Sequence, residues 1–156
     1  MKQFDIGVSG SREGMTEKQK KVGAAILEGL KSKGATRLRH GDCKGVDCDA
    51  HQMALELGLE VIVHPPTHDA NRAFCEGEGV TVLGPRPYLT RNMDIIDKSR
   101  VIVAFPKQPK GWVSLNGEPI RGSGTWHVIR NTRAEPRKLL IVVWPDGTYE
   151  AHKTGR

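Results

Sequence analysis

Aromatic residues make up only 5% of this 156-residue chain. Proteins that bind single-stranded nucleic acid by stacking its bases need aromatic rings in series, and no such platform is visible. Long apolar runs are missing as well. Nothing approaches the ~20 apolar residues of a membrane span, and the amino-terminal "MKQFDIGVSG" lacks the apolar run of a secretory signal. A cytoplasmic location without a membrane partner is therefore expected. The three cysteines, Cys43, Cys48 and Cys75, make a poor disulfide framework because one is always left over. His40, Asp47 and His51 lie near them, but the cysteine spacing fits no standard zinc pattern and lacks a second ligand pair. Neither a metal nor a cofactor is expected, and the thiols are read as reduced.

The chain also lacks internal repeats, low-complexity tracts and any obvious linker. Residues 1–156 are read as a single domain, long enough to bury a core without covalent or metal staples. The net charge of +6 and pI near 9.4 leave nucleic acid open as a partner. The excess is concentrated in Lys18, Lys20, Lys21, Lys31, Lys33, Arg37 and Arg39. A solvated basic face is the simpler reading, and a field that gathers a phosphorylated small molecule is the other.

Apolar periodicity supplies the fold class. "FDIGVSG" is a short buried strand from Phe4 to Ser9. Thr16 then caps a helix with Val22, Ile26, Leu27 and Leu30 on one face, stopped by Gly34. "TRLRHGD" is a more polar strand, followed by a helix striped with Val46, Ala50, Met53, Ala54 and Leu57 that ends at Gly58. "LEVIVHPP" is a third strand closed by its prolines. "THDANRAFCEGEG" reads as a loop with one helical turn, and "VTVL" as a short strand. A third helix spans about Tyr88 to Ser99 with Leu89, Met93 and Ile96 inward. The strand "RVIVAFP", a helix beginning in "GSGT" and the strand "KLLIVVWPDG" complete the series. Apolar strands alternating with helices imply an α/β, Rossmann-like three-layer fold with a mostly parallel sheet of five or six strands.

In such sheets ligands bind beyond the carboxyl ends of the strands. Three glycine-rich loops are expected there: "SGSREG" with Ser9, Gly10, Ser11 and Arg12; "HGDCKGVD" with Gly41, Asp42, Gly45 and Asp47; and "GSGT", which is Gly122, Ser123, Gly124 and Thr125. Each alone is a weak signal, because glycine is common in turns. Their convergence on one rim points to a binding site, and the free N–H groups of a helix start suit an anion such as phosphate. Neither the dinucleotide fingerprint nor the P-loop pattern is present.

"SGSREG", "HGDCKGVDCDAH", "YLTRNMDIIDKSRVIVAFP" and "RGSGTWHVIR", in this order, resemble the SLOG superfamily, which joins DNA-processing Smf proteins to LONELY GUY phosphoribohydrolases. The resemblance runs from about Phe4 to Val143 and rests on the order of the four motifs. It implies a Rossmann-like fold that binds nucleotides or their derivatives through phosphate and ribose. In the hydrolase branch the pattern is R-K-x-x-M and then P-G-G-x-G-T-x-x-E. Here Arg91 and Asn92 stand for the first pair, Ile95 for the methionine, and Val128 for the glutamate that acts on the ribose.

Valine can neither accept a proton nor stabilise an oxocarbenium ion. A nucleotide-binding protein is therefore expected before an N-glycosidase acting on a nucleoside monophosphate, and a DNA-binding protein of the Smf type is the third reading. If an acid exists it comes from Asp42, Asp47, Asp94 or His127. The alternative for Asp47 and Asp94 is a capping or solvated first-turn charge, and for His127 surface packing. Arg91 and Asn92 near the start of the third helix are candidates to clamp a phosphate or ribose, with Tyr88 either packing on the base or anchoring the helix. The long stretch from Pro106 to Gly124 is expected to carry a hairpin at Asn116–Gly117, as a lid or an oligomer contact. The resemblance also implies a homodimer, for which Trp112, Val113, Leu115 and Trp126 would supply an apolar patch.

Overall fold

Runs of valine, isoleucine and leucine bounded by glycine or proline have no solvated face, so they pair as strands covered on both sides. The computed structural model describes residues 2–111 and 123–155 of the chain. Its strands are β1 (Phe4–Gly10), β2 (Ala35–His40), β3 (Glu60–Val63), β4 (Val80–Val82), β5 (Val101–Phe105), β6 (Leu139–Val143) and β7 (Tyr149–Lys153). The helices are α1 (Glu17–Ser32), α2 (Val46–Leu57), α3 (Tyr88–Lys98) and α4 (Gly124–Ala134). One seven-stranded sheet runs in the order β4-β3-β2-β1-β5-β6-β7, parallel except for the β6–β7 pair. This is a mostly parallel, Rossmann-like α/β fold.

Alternate residues along the strands point to opposite layers. Ile6, Val8, Val103 and Phe105 pack with Leu27 and Leu30 of α1 and Ala50 and Ala54 of α2. Ile102, Ala104, Leu140 and Val142 pack with Ile95 and Ile96 of α3 and Trp126 and Ile129 of α4. Between β1 and β5 the chain order reverses direction across the sheet. The two central strands there open a crevice at their carboxyl ends.

Several expectations change. The sheet has seven strands rather than five or six, because the polar edge strand β7, only partly covered, folds back on β6. Residues 67–79 form no helical turn. Their backbone is tied instead to the end of β2: Lys44 N–H donates to Asn71 O (2.9 Å) and Ala73 N–H to Asp42 O (2.7 Å). Leu89 is 54% exposed, since α3 turns Arg91, Asn92, Ile95 and Ile96 inward. Trp126 is in the core against Trp144 and its indole N–H donates to Gln108 Oε1 at 3.0 Å. It therefore cannot serve as part of an exposed apolar patch. Trp112, Val113, Leu115 and the expected hairpin at Asn116–Gly117 lie outside the described residues.

Gln19 ties one helical layer to the sheet. Its backbone N–H and side-chain oxygen form a reciprocal capping box with Thr16, both bonds 3.0 Å. Its buried amide then donates to Pro106 O (3.0 Å) and Val143 O (2.9 Å), just beyond β5 and at the end of β6. Gln19→Leu keeps the volume but strands two buried carbonyls. We expect it to lower unfolding free energy by about 2–4 kcal/mol in urea denaturation; a loss under about 0.5 kcal/mol would show that these carbonyls find other partners.

Candidate functional site

The sequence places glycine and small polar residues wherever a central strand ends, and the parallel topology delivers those loops to one edge. A cleft of about 270 Å³ lies there, lined by Ser9, Gly10, Ser11 and Arg12 after β1, by Gly41, Cys43 and Asp47 around the start of α2, by Tyr88, Arg91 and Asn92 of α3, and by Ser123, Gly124, Thr125 and Val128 of α4. Eleven of the expected site residues thus share one concave surface. Gly122 lies outside the described residues.

Four others are close by but do not line the cleft. Asp42, with φ 59°, is buried and directs its carboxylate at the 67–79 segment, where Arg72 Nε (2.6 Å) and Cys75 N–H (2.8 Å) donate to it. Gly45, with φ 92°, is a packing position: a Cβ there would lie 2.5 Å from Arg12 backbone atoms. Asp94 pairs with Arg86 (3.0 Å) on the far side of α3. His127 accepts from the Asn92 amide through Nδ1 at 3.3 Å, and burial, then Arg130, lowers its pKa.

Arg91 organises the floor. Its side chain is 2% exposed, and Nη1 donates to Gly41 O and, at 3.0 Å, to His64 O. These bonds clamp the ends of β2 and β3 together. Nε donates to Asn92 Oδ1 (3.0 Å), Nη2 reaches, among the described residues, only the weak acceptor Cys43 Sγ at 4.0 Å, and the guanidinium lies 4.9 Å from the Tyr88 ring centre. No carboxylate among the described residues lies within ion-pair distance of it. A buried cation without a paired anion is costly, and a bound anion relieves that cost.

The start of α4 faces the same space. Ser123 Oγ accepts from Trp126 N–H (3.4 Å), while the first-turn N–H groups of Gly124 and Thr125 have no intrahelical acceptor. Gly124 is required because a Cβ would run into the Tyr88 hydroxyl. Asp47 is the buried carboxylate of the cleft; its Oδ2 accepts from Gly41 N–H and Cys43 N–H, both 3.1 Å. Burial outweighs these bonds and the nearby Arg91, and raises its pKa to about 6. Sequence reasoning missed Glu13, Lys107 and Gln108, which also line the cleft. Lys107 and Gln108 follow the central strand β5, so the strand-end rule that found the glycine loops would have found them.

His40, His51 and Cys75 hold their ligand atoms within 4.8 Å of one another. The two rings are nonetheless fully committed. Asp42 N–H donates to His40 Nδ1 (2.9 Å), which puts the proton of the neutral ring on Nε2; Nε2–H donates to His51 Nδ1 (3.0 Å), and His51 Nε2–H to Glu76 O (3.0 Å). Burial, followed by the neighbouring His51, pushes the His40 pKa down to about 3. The trio closes the 67–79 segment onto α2, and each of the four ring nitrogens is occupied by a hydrogen bond, which leaves no free lone pair for a metal.

No protein-family model matches the chain, and no curated protein matches it by sequence. Solved structures do resemble it. A molybdenum cofactor binding protein from the phototrophic bacterium Rippkaea orientalis superposes with a TM-score of 0.62 at 21% identity, covering 92% of this chain and 78% of that one. The structural genomics target TM1055 gives 0.58 at 17% identity, over 85% and 69%. DNA processing protein A from Streptococcus pneumoniae gives 0.61 at 19% identity, over 90% of this chain and 50% of that one; the chain spans half of that protein's length. At these identities the likeness shows the fold, and it is the Rossmann-like fold that the four-motif resemblance implies.

Asp47 makes stability pH-dependent. A carboxyl group whose folded pKa is raised contributes stability that is fully present below its ordinary value of 3.8 and is lost as pH rises through about 6. Asp47→Asn removes this loss while keeping an acceptor oxygen. Relative to the unmodified protein, the variant should gain on the order of 2–3 kcal/mol between acid and neutral pH. Denaturant unfolding of both proteins across that window checks it, and parallel curves would contradict it.

Proposed function

We propose that the cleft binds a nucleotide or nucleotide-derived metabolite, with phosphate at the start of α4 and ribose toward Asn92. The observation that carries this is Arg91: a buried guanidinium with no carboxylate partner among the described residues, facing the same cleft as the open first turn of α4. Charge-assisted bonds from Arg91 Nη2 and the Gly124 and Thr125 N–H groups would meet one phosphate from two sides. Arg12 adds positive charge to the same cleft, while Lys107 there is paired with Glu13 at 3.8 Å. A space of about 270 Å³ suits a small ligand held by part of its surface, not a duplex.

A second reading is favoured by Asp47. A cleft carboxylic acid with a pKa of about 6 is poised to donate a proton near neutrality, which glycosidic cleavage of a nucleoside monophosphate needs. Val128, in the cleft wall, removes the family glutamate, so such an enzyme would depend on Asp47. Asp94, paired away from the cleft, and His127, behind Asn92, are poorly placed for it. The DNA-processing neighbour suggests nucleic acid as an alternative ligand, and salt separates the two, because affinity for DNA falls steeply with salt and affinity for a small nucleotide much less.

The test is calorimetric titration with nucleoside monophosphates, with chromatography for released base. We expect saturable binding that Arg91→Ala weakens by about 1.5–3 kcal/mol in a variant whose circular dichroism stays native. Absence of binding by any purine or pyrimidine nucleotide, or equal binding by Arg91→Ala, would contradict the proposal. Base release lost in Asp47→Asn would establish the glycosidase reading instead.

A further inference from the structure

Arg91 lines two cavities. Beyond it from the main cleft lies a pocket of about 210 Å³ between the ends of β2 and β3 and the outer side of α3. On this side of the sheet α3 and α4 pack against β1, β5 and β6, so the face of β2 and β3 carries Arg39 and His64 where a helix would otherwise bring apolar cover. Arg39, Arg86, Arg91 and Lys98 line the pocket with one carboxylate, Asp94.

Existing pairs do not balance that charge. Asp94 is taken by Arg86 (3.0 Å). Asp5, behind the pocket, is shared by Arg37 (2.9 Å) and Arg39 (2.7 Å). Arg39 Nη1 spends its proton on His64 Nε2 at 3.0 Å, a neutral acceptor: burial, then Arg39, Arg91 and Lys98, push the His64 pKa down to about 4. Among the described residues Lys98 Nζ has no carboxylate in ion-pair range and Arg39 Nη2 no hydrogen-bond partner. Arg39 and Arg91 are both buried; Arg39 Nη2 is a fixed donor, while the Arg91 donors are taken by Gly41 O, His64 O, Asn92 Oδ1 and the main cleft, so Arg91 contributes its charge.

We propose that this pocket is a second oxyanion subsite, for a phosphate group held by Arg39 and Lys98 against the buried charge of Arg91, on the far side of the Arg91 wall. The planar Arg39 guanidinium fixed at the bottom, the Arg91 charge beside it and a lysine at the rim match the several acceptor oxygens of a phosphate dianion. The phosphate is either free in solution or the second phosphoryl group of a ligand that reaches past Arg91 from the main cleft. The subsite does not require a nucleotide in that cleft.

The test is a titration of the full chain with inorganic phosphate, following the His64 ring and the Gly124 and Thr125 amides by NMR, with sodium chloride at matched ionic strength as the control. We expect the His64 signals to move saturably with phosphate and not with chloride, and His64 to titrate at higher pH in its presence, because a neighbouring anion favours the imidazolium. Lys98→Glu, an exposed change on the last turn of α3, should weaken the His64 response about tenfold or more while leaving the Gly124 and Thr125 response intact. A His64 ring that ignores phosphate, or responds equally to chloride or in Lys98→Glu, would overturn the subsite even if the Gly124 and Thr125 amides respond. Within the expected outcome, a nucleoside with phosphate at both ends of its ribose that moves both reporters with one affinity identifies a spanning ligand. Separate affinities identify free phosphate.

Discussion

A guanidinium removed from water at the carboxyl edge of a parallel sheet needs partners for its donors and a counter-charge. Arg91 finds the first in the backbone: the carbonyls of Gly41 and His64 and the Asn92 amide oxygen fix its position. Among the described residues no carboxylate lies within ion-pair distance of it, and Asp47 acts on it only from beyond that range. The rest of the edge follows from that. Gly41 has no Cβ because one would strike the guanidinium, Tyr88 lies beside it, and Asn92 passes its orientation on to His127. The same charge opposes the burial that drives the Asp47 pKa up. A fold with other loops could place a cation here; this one leaves it facing the unsatisfied turn of α4.

Much of this was legible in the sequence. Short, mostly apolar runs bounded by glycine or proline give six of the strands, and right-handed crossovers between parallel strands bring the glycine loops to one edge without further information. Arg91 and Asn92 were legible through motif order. What was not legible depends on which face a short helix turns inward. In α3 a pattern with Leu89 inward is as good on paper as one with Arg91 inward, and the sheet chose the latter because the backbone carbonyls at the ends of β2 and β3 satisfy the guanidinium. Asp42 reads as a site residue beside Gly41, yet its positive φ turns it toward Arg72. β7 was invisible because an edge strand with one solvated face has little apolar signal. The second pocket was hidden for a different reason: Arg37 and Arg39 looked like part of a solvated basic surface, and only the sheet register brings them to Asp5 and His64.

Val128 sharpens the chemical question. It sits in the cleft wall at 1% exposure, at the position where the hydrolase motif that the sequence resembles has a glutamate. The binding half of the site and its proton-transfer half are therefore separable in this chain. Positive charge and helix N–H groups remain, while the acid has to come from Asp47, whose Oδ2 is already occupied by two backbone N–H groups. Proton donation from Asp47 would strengthen those two bonds, because they favour the charged form and a carboxylate accepts more strongly than the neutral acid. The reason to place binding ahead of turnover is Val128, which can neither donate nor accept a proton.

The central claim is the position of one anion. A crystal structure of the protein grown with phosphate or a nucleoside monophosphate tests it directly. The account predicts an oxyanion within hydrogen-bonding distance, about 2.7–3.2 Å, of the Gly124 or Thr125 backbone N–H and of Arg91 Nη2. An ordered nucleotide bound elsewhere, with these donors facing only water, would contradict it.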